Sequence, residues 1–270
     1  MLEFDFSSHG AGMIHAYRWE PEGQPRGVVQ IIHGIAEYVP RYAGFAAFLN
    51  AHGLLVTGED HMGHGKSHGT EPCHFSGGWC AAVDDSMELL RRTQRDYPGV
   101  PYFMLGHSMG SFLTRTLLFR YPDAGLRAAV ICGTGWQPAP VLAAGLALCG
   151  LEKLRLGETG RSKLLANLMF GAYNRKFPDA RTPNDWICSD PEVVAKYTAD
   201  PLCGQDATVG LTREMLRGIR MIQKPANLQR MDKALPVFFI AGRSDPVGNM
   251  GRGVEKAARD PQREEPPARL

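Results

Sequence analysis

Between residues 106 and 110 the sequence reads Gly-His-Ser-Met-Gly, a serine held between two glycines in the pattern G-x-S-x-G. A serine hydroxyl is a weak nucleophile until a base takes its proton and fixed donors receive the charge that develops on the attacked carbonyl. Small flanking residues let the chain turn sharply and hold the oxygen clear of the backbone. The pattern alone also fits a plain glycine-rich turn. Its context argues for more: it follows the apolar run Tyr102–Leu105 and opens a helix predicted over 110–121, the strand–turn–helix setting of a nucleophile elbow. The helix N-terminus behind it favours negative charge. Ser108 is the expected nucleophile, and the backbone N–H of Met109 is one expected oxyanion donor.

The second donor is expected from the loop after an earlier strand. His33-Gly34-Ile35 follows the apolar run Gly27–Ile32, which makes Ile35 N–H the candidate. The alternative is an ordinary strand-end turn. The acid that orients the base belongs at a later strand end. Asp245 stands there, in Phe238-Phe-Ile-Ala-Gly-Arg-Ser-Asp-Pro, although Asp-Pro is also a common turn pair. The base is the discordant member. All nine histidines (9, 15, 33, 52, 61, 64, 68, 74 and 107) precede Ser108, so the chain order Ser, Asp, His is not completed in these 270 residues. His107 adjoins the serine, where its side chain is expected to point away, and His33 belongs to the donor loop. Residues 259–270 carry three prolines and no apolar run, so no buried strand is expected there.

His61, His64, His68 and His74 might suggest metal ligands. Their spacing fits no helical pair, and Gly63, Gly65 and Gly69 interrupt it. A glycine-rich loop is the reading, with no metal and no cofactor. Trp79 and Trp186 read as packing residues.

The elements that position these residues alternate. Leu2–Ser7 and Met13–Trp19 predict a hairpin around His9–Gly12. Gly27–Ile32 is apolar almost throughout, as a strand buried on both faces should be. Residues 43–52 predict a helix with Phe45, Phe48 and Leu49 on one face and Gly53 as its stop. Leu54–Thr57 predicts a strand. Residues 81–97 predict an amphipathic helix, with Val83, Met87 and Leu90 on one face and basic residues at its end. Ala128–Ile131 and Val237–Ala241 predict further strands. A helix over 211–223 buries Leu211, Met215, Leu216 and Ile219. The pattern predicts a mostly parallel sheet with helices on both faces. Between 136 and 205 the alternation stops, and an apolar helix over 141–151 precedes a Pro/Asp-rich stretch over 178–201. This segment reads as a cap (lid) inserted into a core of 1–135 and 206–258, followed by an atypical, disordered tail over 259–270. The cap helix 141–151 either walls an acyl site or is plain packing.

Composition narrows the function class. Of the 270 residues 44% are hydrophobic and 21% charged, an ordinary globular profile. A formal net charge of +2 gives no reason to expect nucleic acid or an anionic membrane as partner. The longest apolar stretch, Val141–Leu151, is shorter than the ~20 residues that span a bilayer, so no transmembrane segment is expected. Six cysteines form no CxxC pair, and Met1-Leu-Glu-Phe-Asp-Phe is no signal peptide. The expectation is reduced thiols in a cytoplasm.

At these residues the sequence resembles the monoacylglycerol lipase and lysophospholipase branch of the α/β-hydrolases, which is serine aminopeptidase-like. The matching stretches are His33-Gly-Ile-Ala-Glu-Tyr with Arg41-Tyr42, Asp60-His-Met-Gly-His-Gly-Lys-Ser, Gly106-His-Ser-Met-Gly-Ser-Phe, Asp185-Trp186 through Asp200-Pro-Leu-Cys-Gly204, and Gly242-Arg-Ser-Asp-Pro-Val-Gly. The resemblance implies an α/β-hydrolase fold with Ser108 as nucleophile, Asp245 as acid, and Ile35 and Met109 as oxyanion donors. It implies a small-molecule acyl ester as substrate, cleaved through an acyl-enzyme. Met62 departs from the family's usual arginine. Beyond about Ala258 the likeness ends, without the final strand, helix and histidine, as in a frameshifted or truncated product. The expectation is an impaired ester hydrolase. Its rivals are a decayed homologue that only binds ligand and a small-peptide aminopeptidase.

Overall fold

The computed structural model describes residues 1–259. Strands β1 (Leu2–Ser7) and β2 (Met13–Trp19) form the predicted hairpin. Strand β3 (Gly27–Ile32) is buried along its whole length. Then follow α1 (Ala43–Ala51), β4 (Leu54–Glu59), α2 (Gly78–Asp96), β5 (Tyr102–His107), α3 (Met109–Arg120) and β6 (Leu126–Cys132). Helices α4 (Ala139–Leu156), α5 (Lys163–Met169) and α6 (Pro191–Ala199) occupy the stretch where strand–helix alternation stops. The chain continues through α7 (Val209–Ile222), α8 (Pro225–Leu228), β7 (Val237–Ile240) and α9 (Arg252–Ala258).

The seven strands make one sheet in the order β1-β2-β4-β3-β5-β6-β7. The pairs β1/β2 and β2/β4 are antiparallel and the rest are parallel, the architecture of an α/β-hydrolase. Both faces are covered. On one side Trp79, Val83 and Leu90 of α2, Leu113 and Leu117 of α3, and Ile219 of α7 pack in one core with Val28, Ile32, Leu55 and Met104. Each such apolar side chain contributes about 1.5–3 kcal/mol on full burial. On the other side Ala46 of α1 joins Tyr17, Val29, Ile31 and Val56.

The α1 face differs from expectation. Phe45 and Phe48 are exposed, at 40% and 57%, and Ala46 is the residue fully buried. A small side chain lets α1 lie close on the sheet, so the phenylalanines stack on each other at its outer edge. The expected tail over 259–270 falls, past Arg259, outside the described residues. All six cysteines are free.

Candidate active site

The sheet order creates the crevice. From β3 the chain crosses to β4 on one side, then returns to β5 on the other. The loops leaving the C-terminal ends of β3 and β5 therefore diverge, and a ligand site opens between them. Ser108 sits at the end of β5 with φ 52° and ψ −119°, a left-handed conformation that a non-glycine residue adopts at a cost of about 1–3 kcal/mol. The turn is pinned by Ser108 N–H donating to Cys132 O at 2.9 Å and by Ser111 N–H donating to Ser108 O at 2.9 Å. Both motif glycines are sterically required. A Cβ on Gly106 would run into Thr114 Oγ1, and one on Gly110 into the Ile32 carbonyl.

A cavity of about 780 Å³ has Ser108, Ile35 and Asp245 on its wall. The Met109 side chain is buried in the core, while its N–H opens α3. Among the described residues neither Met109 N–H nor Ile35 N–H donates to a protein acceptor. Both N–H groups are therefore open to an acceptor from outside the chain. Asp245 Oδ1 accepts the Val247 N–H at 2.8 Å. Burial raises the Asp245 carboxyl above its ordinary range, against the pull of the Val247 N–H and the His107 charge.

His107 is not turned away. Its ring lines the same cavity as Ser108 and keeps 38% of its side-chain surface exposed. Nδ1 of His107 lies 3.0 Å from Glu37 Oε1 and 2.8 Å from Tyr42 Oη. Tyr42 O–H donates to Glu37 Oε1 at 2.9 Å, so the ring must donate from Nδ1. Burial works to lower the His107 pKa, but the bond to Glu37 and the Glu37 and Asp245 charges outweigh it and raise it above 6.5.

Glu37 carries no role in the sequence reading, yet it organises the site. Its side chain is 4% exposed and also accepts the Gly34 N–H at 2.6 Å and pairs with Arg41. Burial would raise its carboxyl; His107, Arg41 and the Gly34 N–H hold it instead at about 2. The available signal was an acid three residues past His33-Gly34 and four before Arg41, in an otherwise apolar stretch. The donor loop is clamped from outside as well: Tyr197 O–H and Gly204 N–H both donate to Ala36 O at 3.0 Å.

The remaining nearby histidines are structural. His33 donates from Nδ1 to Gly34 O at 2.7 Å and accepts His61 N–H at Nε2 at 2.9 Å. Burial holds His33 well below 6.5, His61 at about 3 and His64 at about 4, so all three stay neutral. His74 hydrogen-bonds Thr208 Oγ1 at 3.0 Å.

The cavity wall also differs from one expectation. No residue of 141–151 lines it. That helix packs on α7, with Cys149 against Val209 and Leu165. The apolar wall comes from Met169, Phe170 and Trp186, with Phe170 and Trp186 stacked at 6.0 Å.

Residues 23–264 match the profile of a family described as serine aminopeptidase, S33. The chain is similar to a monoacylglycerol lipase of Mycolicibacterium smegmatis, at 31% identity over 95% of this chain and 84% of that one. It is similar to a monoglyceride lipase of Mus musculus, at 36% identity over 84% of this chain and 68% of the relative. Among solved structures, a thermostable carboxyl esterase from Bacillus coagulans in complex with glycerol superposes with a TM-score of 0.86. Identity there is 28%, over 95% of this chain and 84% of that one.

Proposed function

The chain belongs to the serine aminopeptidase S33 family, in the monoacylglycerol lipase branch of the α/β-hydrolases, and from that premise we propose that it cleaves monoacylglycerol-type or lysophospholipid-type esters through an acyl-enzyme on Ser108. The observation that carries the reading is the elbow itself: a serine held at φ 52° beside two unengaged N–H groups on an apolar-walled cavity. Ser108 Oγ attacks the ester carbonyl, and Ile35 and Met109 N–H receive the oxyanion. Collapse expels the glycerol-side alcohol, and water then releases the acid. Asp245 is the acid of the relay, placed to orient an imidazole and stabilise its cation. Residues 136–205 are the cap, and 1–135 with 206–258 the core.

Among these 270 residues no histidine follows Asp245, and the imidazole of the relay is not assigned. We place the protein in the cytoplasm. The free cysteines are consistent with that, and among the described residues no helix is long and apolar enough to cross a membrane.

A panel of p-nitrophenyl esters and monoacylglycerols, set against aminoacyl p-nitroanilides, tests the reading. Ester cleavage lost in Ser108→Ala is expected. Anilide cleavage would favour the peptidase, and ligand binding without turnover of either would favour a binding protein.

A further inference from the structure

We propose that Tyr197 is a positioning residue for the reaction: with Gly204 and Asp200 behind it, it holds the Ala36 carbonyl and so keeps the neighbouring Ile35 N–H open to the cavity. The proposal rests on Ser108 as nucleophile and Ile35 as oxyanion donor. It puts their alignment under the control of residues 197–204, far along the chain from either.

The donor loop is strained at its centre. Ala36 follows Ile35 directly and has φ 53°, in the left-handed region that a residue with a Cβ avoids. Such a conformation persists only where the surroundings over-determine it. The ends of the loop are fixed from the core side. Gly34 N–H donates to Glu37 Oε1 at 2.6 Å, and Val39 N–H donates to Asp60 Oδ1 at 2.8 Å. Neither bond reaches the Ala36 carbonyl.

The second hold comes from residues 197–204. Tyr197 O–H donates to Ala36 O at 3.0 Å. Gly204 N–H donates to the same oxygen at 3.0 Å and also lies 3.1 Å from Tyr197 Oη. A carbonyl oxygen has two lone pairs, and here both are engaged. Tyr197 is itself fixed: it is buried, and the Arg41 guanidinium lies over its ring at 4.8 Å. Asp200 sets the turn that presents Gly204. Its Oδ1 accepts Leu202 N–H at 2.9 Å, and its carbonyl accepts Cys203 N–H at 3.0 Å. Gly204 then stands at φ 68°, which glycine adopts without steric cost. Tyr38 O–H donates to Asp200 Oδ2 at 2.7 Å, so the loop is tied to this turn on both sides of Glu37.

Releasing the carbonyl frees Ala36 to return to negative φ. With Gly34 and Val39 fixed, that change is taken up by the few backbone torsions between them, and Ile35 adjoins it. The Ile35 N–H then turns from its direction in the closed loop. A donor stabilises an oxyanion fully only when it is oriented before attack. Tyr197 lines the cavity, but Tyr38 and Asp200 do not, and this separates positioning from direct contact with a ligand.

The test uses the full 270-residue chain and an alkyl fluorophosphonate, whose phosphoryl oxygen takes the oxyanion position as it bonds to Ser108. Labelling rates over a range of probe concentrations give kinact and KI separately. Tyr197→Phe deletes one neutral hydrogen bond and keeps the ring. It is expected to lower kinact about fivefold, the size of one such bond, with KI unchanged. Tyr38→Phe, off the cavity wall, is expected to lower kinact in the same sense. Hydrogen exchange at the Gly34 amide gives a reading that needs no reaction. Its acceptor belongs to Glu37, the residue after Ala36, so a loosened loop exposes it. Exchange there should rise about fivefold in both variants, while the amides of β5 keep their wild-type rates. A raised KI with wild-type kinact in Tyr197→Phe, and a Tyr38→Phe like wild type, would make Tyr197 a ligand contact and overturn the proposal. Unchanged Gly34 exchange in both variants, or exchange raised throughout the chain, would overturn it as well. Labelling that survives Ser108→Ala would instead overturn the reading on which it rests.

Discussion

Glu37 Oε1 lies 2.6 Å from the backbone nitrogen of Gly34, so one buried carboxylate ties the donor loop after β3 to the imidazole at the end of β5. Its ordinary value of 4.5 is held down to about 2 in the fold. The stability it contributes is therefore complete above about pH 4.5 and is lost as pH falls toward 2. Glu37→Ala should cost about 3 kcal/mol near neutral pH, because the partly buried Arg41 guanidinium loses its carboxylate and the Gly34 N–H loses its acceptor. The acid slope between pH 4.5 and 2 should flatten in the same variant. Urea denaturation across that range measures both, and a variant as stable as wild type at pH 7 would refute the network.

The nucleophile stores strain that can be released. At φ 52° and ψ −119° Ser108 occupies backbone space that glycine enters freely. Ser108→Gly should therefore be more stable than Ser108→Ala by about 1 kcal/mol, while both lose Ser108-dependent ester turnover. Thermal melts of the two variants decide it: equal midpoints would show that the elbow carries no strain that glycine relieves.

Much of this was legible in the sequence, and what escaped did so for definable reasons. Period-two and near-continuous apolar runs marked β1 to β3, and Val83, Met87 and Leu90 marked the buried stripe of α2. The face of α1 was misread because large apolar residues were weighted over Ala46, whose small size is what lets the helix approach the sheet. The orientation of His107 was misread because its contacts with Glu37 and Tyr42 come from the loop after β3, a neighbour that position beside the serine does not reveal. Glu37 was visible as a residue type. Its function depends on β3 and β5 being neighbours, which local pattern does not encode.

Glu59 is a second buried acid with the opposite sign. Burial raises it to about 8, although Ser86 and Gln30 both hydrogen-bond it. Its folded value exceeds its ordinary one, so folding favours the protonated form. Stability is then fully present below about pH 4.5 and falls as pH rises toward 8, by up to about 1.4 kcal/mol per pH unit. Glu59→Gln should lose that dependence and be the more stable protein at pH 8. Melts at pH 5 and pH 8 test this; a wild-type midpoint that does not fall relative to the variant's would count against it.

The cavity wall predicts where chain-length selectivity resides. Phe170 and Trp186 line the cavity and α4 does not. A charge at Leu146, on α4, should leave the acyl chain-length profile of the residual turnover unchanged. Phe170→Asp should penalise long chains over short ones, since each methylene it ceases to bury is worth about 0.8 kcal/mol. The ratio of kcat/KM for decanoyl and butyryl esters in the two variants is the measurement. A shift in Leu146→Asp alone would reverse the assignment.

Strand β7 sets the solution behaviour of the chain. It pairs with β6 along Val237–Ile240 and, among the described residues, with no other strand. Phe238 and Ile240 point to the same face and are 43% and 47% exposed. A strand edge with open N–H and C=O groups and an apolar face is a template for pairing with another copy. Charges on such an edge block that pairing, because a second strand would have to bury them. The 270-residue chain should therefore self-associate at micromolar concentration. Phe238→Lys with Ile240→Lys should shift it toward monomer and raise its soluble yield, without changing the rate at which a fluorophosphonate labels Ser108. Sedimentation velocity of the two proteins, with labelling run in parallel, checks the expectation. A wild-type chain that sediments as a monomer, or a double variant that associates as strongly as wild type, would show that this edge does not drive assembly.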